Sequence, residues 1–184
     1  MVDADQLARA AVAPGSDGLA QVAGRFGPGV LTEAGELDRK ALGALVFSNA
    51  TERAALNAIV HPEVRRLAAL ALGEIGVRGE PLACYEIPLL FEVGSERDFA
   101  AVVVVDAPKA VQKARLAARD SLDENQVEAR IAAQMPLAEK VRRADYVIRN
   151  DGTRAELAVQ TDAVFERLCA ALRVPAARYP EPQK

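Results

Sequence analysis

Apolar and polar positions alternate in blocks along this chain, and the blocks predict short strands separated by helices. The most informative block is Ala100 to Asp120, AAVVVVDAPKAVQKARLAARD. Its apolar run, Ala100 to Val105, is rich in β-branched residues and has no polar interruption. That pattern predicts a strand covered on both faces in the middle of a parallel sheet. Asp106-Ala107-Pro108 ends the strand and opens a helix, with the acid as cap and the proline where a first turn tolerates a missing N–H. Arg115 and Arg119, four residues apart, share one face of that helix. Two arginines near the carboxyl edge of such a strand suit an anionic ligand, because open α/β sheets bind ligands at that edge.

The other blocks fall in order around it. Met1-Val2 reads as a strand end, followed by Asp3-Ala4-Asp5 and a helical run from Gln6 to Val12, which Ala13-Pro14-Gly15 breaks. Ser16 can cap a helix reaching about Phe26. Gly27-Pro28-Gly29 is a loop, Val30-Leu31 a short extended piece, and Glu33 to Glu36 a turn. Asp38 caps a helix over Arg39 to Phe47. Asn49 or Thr51 caps a longer one from Glu52 to about Gly73, with a kink or restart expected at His61-Pro62. Leu82 to Ile87 is a second apolar strand, ended by Pro88.

Downstream, Ser121-Leu122-Asp123 opens a helix to Gln134, which restarts after Met135-Pro136 and runs to Arg143. Tyr146 to Ile148 is a last short strand, Asn150-Asp151-Gly152 a turn, and Thr153 the cap of a closing helix to about Leu172. Strands alternating with helices of these lengths predict an α/β fold with a mainly parallel sheet. One domain over residues 1–172 is expected, with residues 121–143 as a helical lid between the last two strands. The tail from Arg173 to Lys184, with three prolines, is expected to be loose.

Composition narrows the function. At 184 residues, 51% hydrophobic and 27% charged, the chain has the make-up of a globular domain. A net charge of −3 argues against a partner held by general electrostatics such as nucleic acid. It leaves room for a small phosphate-bearing ligand. Cys84 and Cys169 lie far apart and neither belongs to a CxxC, so both read as free thiols in a reducing compartment. No apolar segment is long enough to span a membrane and no signal peptide is visible, so a cytoplasmic location is expected. No His/Cys cluster has metal-ligand spacing.

Eight segments then occur in a telling order: VDADQLAR (residues 2–9), LDRKAL with VF (37–42 and 46–47), HP (61–62), IPLLFE (87–92), VVVVDAP (102–108), ARLAARD (114–120), ARIAAQMP (129–136) and ADYVIRNDG (144–152). Together the series resembles the dephospho-coenzyme A kinase family nearly end to end. Single pieces are weak signals, and the ordered set is a strong one. The resemblance implies a three-layer P-loop kinase fold and transfer of the ATP γ-phosphate to the ribose 3′-hydroxyl of dephospho-CoA. ATP would bring Mg²⁺ with it.

One departure stands beside the match. Such kinases carry GxxxxGK[ST] between an opening strand and helix, and this sequence has none. Its lysines are Lys40, Lys109, Lys113, Lys140 and Lys184, and none follows a glycine. The backbone nest for the β- and γ-phosphates, the phosphate-binding lysine and the Mg²⁺-binding hydroxyl are not supplied by a motif of that kind. The expected account is an N-terminally truncated sequence lacking a strand, loop and helix on the order of 30 residues. Poor activity is expected of it.

The resemblance also suggests roles. Asp5 resembles the general base near the acceptor hydroxyl, while Asp3 is read as the helix cap. Arg39 resembles an arginine holding the acceptor, whose pyrophosphate suits a guanidinium fork; without the family context it is a solvated first-turn residue. Arg115 resembles the clamp on the ATP phosphates, with Arg119 assisting or else satisfied by Asp120 or Asp123. Asn150 and Gly152 lie where this fold class passes the adenine, and read equally as a plain turn. His61 anchors a helix kink or touches the acceptor, and Glu92 orients the acceptor or is a solvated strand-end acid. The alternative function is a non-catalytic ligand-binding or regulatory relative of the same family.

Overall fold

Asp3 begins the first helix by the means the sequence suggests: its carboxylate accepts the backbone N–H groups of Asp5 and Gln6. The computed structural model of the chain describes residues 1–47 and 49–175. Residues 176–184, most of the tail expected to be loose, lie outside the described residues. Contacts divide the chain into two units, Met1–Pro88 and a second from Leu89 onward.

The first unit holds β1 (Val2–Asp3), α1 (Ala4–Ala10), α2 (Asp17–Phe26), α3 (Arg39–Val46), α4 (Ala50–Val77) and β2 (Tyr85–Glu86). β1 and β2 pair in parallel, Val2 opposite Tyr85 and Asp3 opposite Glu86. The strand expected over Leu82 to Ile87 is therefore two residues long, the length of ladder that β1 shares with it. Val12, Val22, Val30 and Leu42 are buried together, with Phe26, Val46, Leu56, Ile59 and Val60 packed around them. Residues 31 and 37 form an isolated antiparallel bridge, closed by a turn in which Gly35 takes φ +75.

α4 bears on the kink or restart expected at Pro62. It runs unbroken from Asn49, its cap, to Val77 with Pro62 inside. A proline there removes the N–H that would reach the Ala58 carbonyl, a cost of about 3 kcal/mol. Leu56, Ile59 and Val60 before it pack against the core of the unit, and Ala68 and Ile75 after it are buried. Their burial outweighs a single lost bond, so no restart occurs.

A close approach fixes the entry to α2. The Ser16 hydroxyl donates to the Ala11 carbonyl at 3.0 Å and accepts from Leu19 N–H at 3.1 Å. The same carbonyl lies where a side chain on Gly18 would start: a Cβ would sit 2.1 Å from it. Only glycine lets the first turn of α2 meet the end of α1 so closely.

The second unit holds β3 (Val103–Asp106), α5 (Lys109–Asp120), α6 (Glu124–Ala132), α7 (Leu137–Arg143), β4 (Tyr146–Arg149) and α8 (Arg154–Leu172). β3 and β4 pair in parallel over four residues, Val103 opposite Tyr146 through Asp106 opposite Arg149. Asp145 aligns them: its carboxylate accepts Val102 N–H at 2.8 Å while its own N–H donates to the Val102 carbonyl at 3.0 Å. Val102 and Val104 are buried with Phe91, whereas Val103 and Val105 are 39% and 52% exposed. The apolar run is thus half-buried rather than covered on both faces. Asp123 and Thr153 cap α6 and α8 through reciprocal capping boxes with Gln126 and Glu156. At the start of the expected tail, Arg173 takes a left-handed conformation and Val174 N–H returns to the Cys169 carbonyl.

The close approach at Ala11 makes a paired expectation. Gly18→Ala should lower stability by about 1–3 kcal/mol through overpacking. Gly24→Ala, in the same helix with nothing near the added methyl, should raise it by about 0.5–1 kcal/mol. Urea melts of both variants check this, and an equal response from the two would remove the packing explanation.

Candidate active site

In the first unit the candidate residues sit at helix starts and on one helix surface. Asp3 takes the capping bonds, which leaves the Asp5 carboxylate, in the first turn of α1, exposed and without a hydrogen bond or ion pair among the described residues. Arg39 opens α3 beside its cap Asp38, which accepts Lys40 and Ala41 N–H at 2.9 Å each. It too is exposed. His61 lies on the exposed side of α4, next to Pro62. No hydrogen bond or ion pair joins any two of these three among the described residues.

In the second unit two of the candidates meet. The Arg115 guanidinium, on α5, donates to the Asn150 carbonyl at 2.9 Å. Asn150 N–H in turn donates to the Asp106 carbonyl at 2.7 Å, so the turn after β4 is fastened to the carboxyl end of β3. Gly152 follows in that turn, and a Cβ there would lie 2.4 Å from the Glu156 carboxylate. Beside it Asp151, Gly152, Ala155, Glu156, Val159 and Gln160 line an open depression of about 500 Å³. Thr153 holds the Glu156 carboxyl below its ordinary range, through backbone N–H and hydroxyl bonds that outweigh the opposing desolvation.

Arg119 is engaged elsewhere. Its guanidinium forks onto Asp120 at 2.8 and 3.1 Å, and Asp120 also pairs with Arg130 of α6. The bonds from Arg119 come first among the causes that lower the Asp120 pKa, with Arg130 adding to them. Asp120 thus offsets much of the charge that Arg119 would offer an anion.

Glu92 is likewise committed. Its Oε1 accepts Met135 N–H at 2.8 Å and the Lys140 ammonium at 2.7 Å. The backbone around Glu92 is open to solvent, but its side chain is 21% exposed and that of Lys140 only 10%. Burial alone would raise the Glu92 pKa; the bonds from Lys140 and Met135 outweigh it and hold the carboxyl below its ordinary value. Sequence reasoning passed over Lys140. The signal was there: it lies on α7 one turn after Leu137 and beside Val141, on a face that packs against Phe91, Val102 and Val104. Gln160 was also missed. It mimics a strand partner, accepting Arg149 N–H and donating to the Arg149 carbonyl at 3.1 Å each, and so ties β4 to α8.

Among the described residues no three His, Cys, Asp or Glu side chains are grouped to hold a metal ion. No helix among them is long and apolar enough to cross a membrane.

Parallel strand pairs flanked by helices, with an arginine meeting the turn beyond a strand's carboxyl end, define an α/β fold of the P-loop kinase type. Two solved structures share it. The crystal structure of TT1252 from Thermus thermophilus superposes with a TM-score of 0.74 at 37% identity, covering 91% of this chain and 83% of that one. The dephospho-CoA kinase from Campylobacter jejuni gives 0.63 at 27% identity, covering 92% and 85%. The family model for dephospho-CoA kinase matches residues 1–156. The protein of that name from Anaeromyxobacter dehalogenans is 50% identical over 94% of this chain and 80% of its own length. That from Geobacillus kaustophilus is 48% identical over 91% and 83%. The chain belongs to the dephospho-CoA kinase family.

The Glu92 pKa sets a pH dependence. A carboxyl held below its unfolded value, here 4.5, adds stability that is complete above that value and lost as the pH falls through the lower folded one. Glu96, lowered by its own backbone and by Arg143, acts in the same direction. Thermal midpoints taken from about pH 5 to pH 3 should fall less steeply for Glu92→Gln than for the unaltered chain. Parallel curves would mean that the carboxylate does not feel its partners.

Proposed function

We propose that this protein transfers the γ-phosphate of ATP to the ribose 3′-hydroxyl of dephospho-CoA, acting on small molecules in the cytoplasm with Mg²⁺ carried by the nucleotide. The observation that carries the mechanism is the division of labour between Asp3 and Asp5. Because Asp3 accepts both capping N–H groups, the Asp5 carboxylate has no structural task and is available to a hydroxyl. A carboxylate so placed can orient the acceptor oxygen and take its proton as the bond to phosphorus forms. Arg39 offers a guanidinium fork to the acceptor's pyrophosphate, and His61 stands on the exposed face of α4 as a further acceptor contact.

Arg115 is assigned to the donor phosphates. Its bond to the Asn150 carbonyl supports this reading, since one fixed nitrogen orients the rest of the fork and lowers the entropy lost when an anion binds. A preset positive charge stabilises the charge that spreads over the transferring oxygens. The depression beside Gly152 is assigned to the adenine, with Asn150 at its approach. Arg119 assists more weakly, since Asp120 already offsets its charge.

The test is phosphate transfer from ATP to dephospho-CoA by this chain and its variants. Asp5→Asn should keep the fold and lower kcat by about 10²- to 10⁴-fold, the range for loss of a general base. Arg39→Ala should raise KM for dephospho-CoA, and Arg115→Ala should raise KM for ATP and lower kcat. Binding of dephospho-CoA without turnover, unaffected by Asp5→Asn, would favour a non-catalytic relative and overturn the mechanism.

A further inference from the structure

The contacts that hold α7 differ in kind from those that hold α6. Among the described residues Lys140 is the charged residue that counts as buried, at 8% exposure. Its ammonium meets Glu92, and one turn later Arg143 pairs with Glu96 and lies over the Phe91 ring, 4.9 Å from its centre. Acid spacing of four and base spacing of three make a two-rung ladder between α7 and residues 89–99. Behind it Met135, Leu137 and Val141 join the cluster of Phe91, Val102 and Val104. Pulling α7 away would strand a desolvated ammonium and open that cluster, both costly.

α6 is held more lightly. Its charged links to α5 run from Glu128 to Lys109 and Lys113, and from Arg130 to Asp120, all between side chains 24–64% exposed. Exposed pairs contribute little. Val127 is its one buried residue. Between the two helices run Ala133, Gln134, Met135 and Pro136, where the Met135 N–H is taken by the same Glu92 oxygen that holds Lys140.

We infer that Glu92 is a positioning residue, which with Lys140 anchors the 133–136 root of α6, so that the moving part of the nucleotide lid is α6 alone. This rests on the expectation that residues 121–143 form a helical lid, and on the proposed kinase reading, and it removes Glu92 from the acceptor site. Glu92 touches no reacting atom. It acts by fixing the point from which α6, with Arg130, swings.

Amide hydrogen exchange on the unliganded chain decides it. Exchange at Met135 should quicken about tenfold or more in Glu92→Ala. It should be largely restored in Glu92→Gln, which keeps an oxygen for that N–H. Lys140→Met and Glu92→Ala should both quicken α7, and the double variant should be no faster than the faster single one. Amides of β3 should stay as they are. In the kinase assay, Glu92→Ala should raise KM for ATP and leave KM for dephospho-CoA unchanged. Unaltered exchange at Met135, or a raised KM for dephospho-CoA with exchange intact, would overturn the assignment. Should Glu92→Ala fail to fold, Lys140→Met and the double variant with Glu92→Gln carry the same comparison. Absence of turnover in the unaltered chain would count against the proposed function only, because the exchange measurement needs no activity.

Discussion

An ammonium taken out of water must find a carboxylate, and much of the second unit is arranged around that need at Lys140. Its partner Glu92 also accepts the Met135 N–H, so one oxygen ties the start of α7 to the segment that precedes β3. The apolar cluster under the pair can then close, because α7 brings Leu137 and Val141 with it. Paired and hydrogen-bonded burial of this kind adds little net stability over an apolar substitute. What it adds is register: α7 slid by one turn could keep at most one of the two pairs, leaving one base and one acid without a partner.

The first unit solves a different problem with uncharged groups. The Ala11 carbonyl emerges at the end of α1 in a fully buried position, where an unpaired oxygen would be expensive. Ser16 supplies a hydroxyl donor to it and at the same time caps α2, while Gly18 leaves the room. The order Ala-Pro-Gly-Ser-Asp-Gly over residues 13–18 thus encodes a corner, each residue answering a demand made by its neighbour. The consequence for function is indirect. The corner fixes α2 against α1, and Asp5 stands at the start of α1.

Which parts were legible in the sequence follows from how local their causes are. Caps are set within four residues, so Asp3, Ser16, Asp38 and Thr153 could be read directly, and Asn49 as one of two candidates; Asp106 was misread, because α5 starts from Pro108 with no side-chain cap. Of the kink or restart expected at Pro62, the restart does not occur, because burial on both sides of the proline holds a single helix. The apolar run ending in Val105 was read as two-faced. Composition alone cannot say which face of a strand gains a neighbour, and here Val103 and Val105 remain exposed while Val104 does not. Family membership was readable from ordered motifs because they are numerous, not because any one is diagnostic. Glu92 shows the limit of that route. A motif names the residue, but only the long-range partner, 48 positions later in Lys140, tells what holds it.

The same contrast bears on the arginines. Arg115 and Arg119 sit one turn apart with identical side chains, and sequence treats them as a pair. The structure separates them by partner charge. Arg115 rests on a neutral carbonyl, which orients the guanidinium and leaves its positive charge uncompensated. Arg119 rests on a carboxylate that a second arginine from α6 also uses. A phosphate approaching the first meets a ready cation, and one approaching the second meets a charge already offset by Asp120.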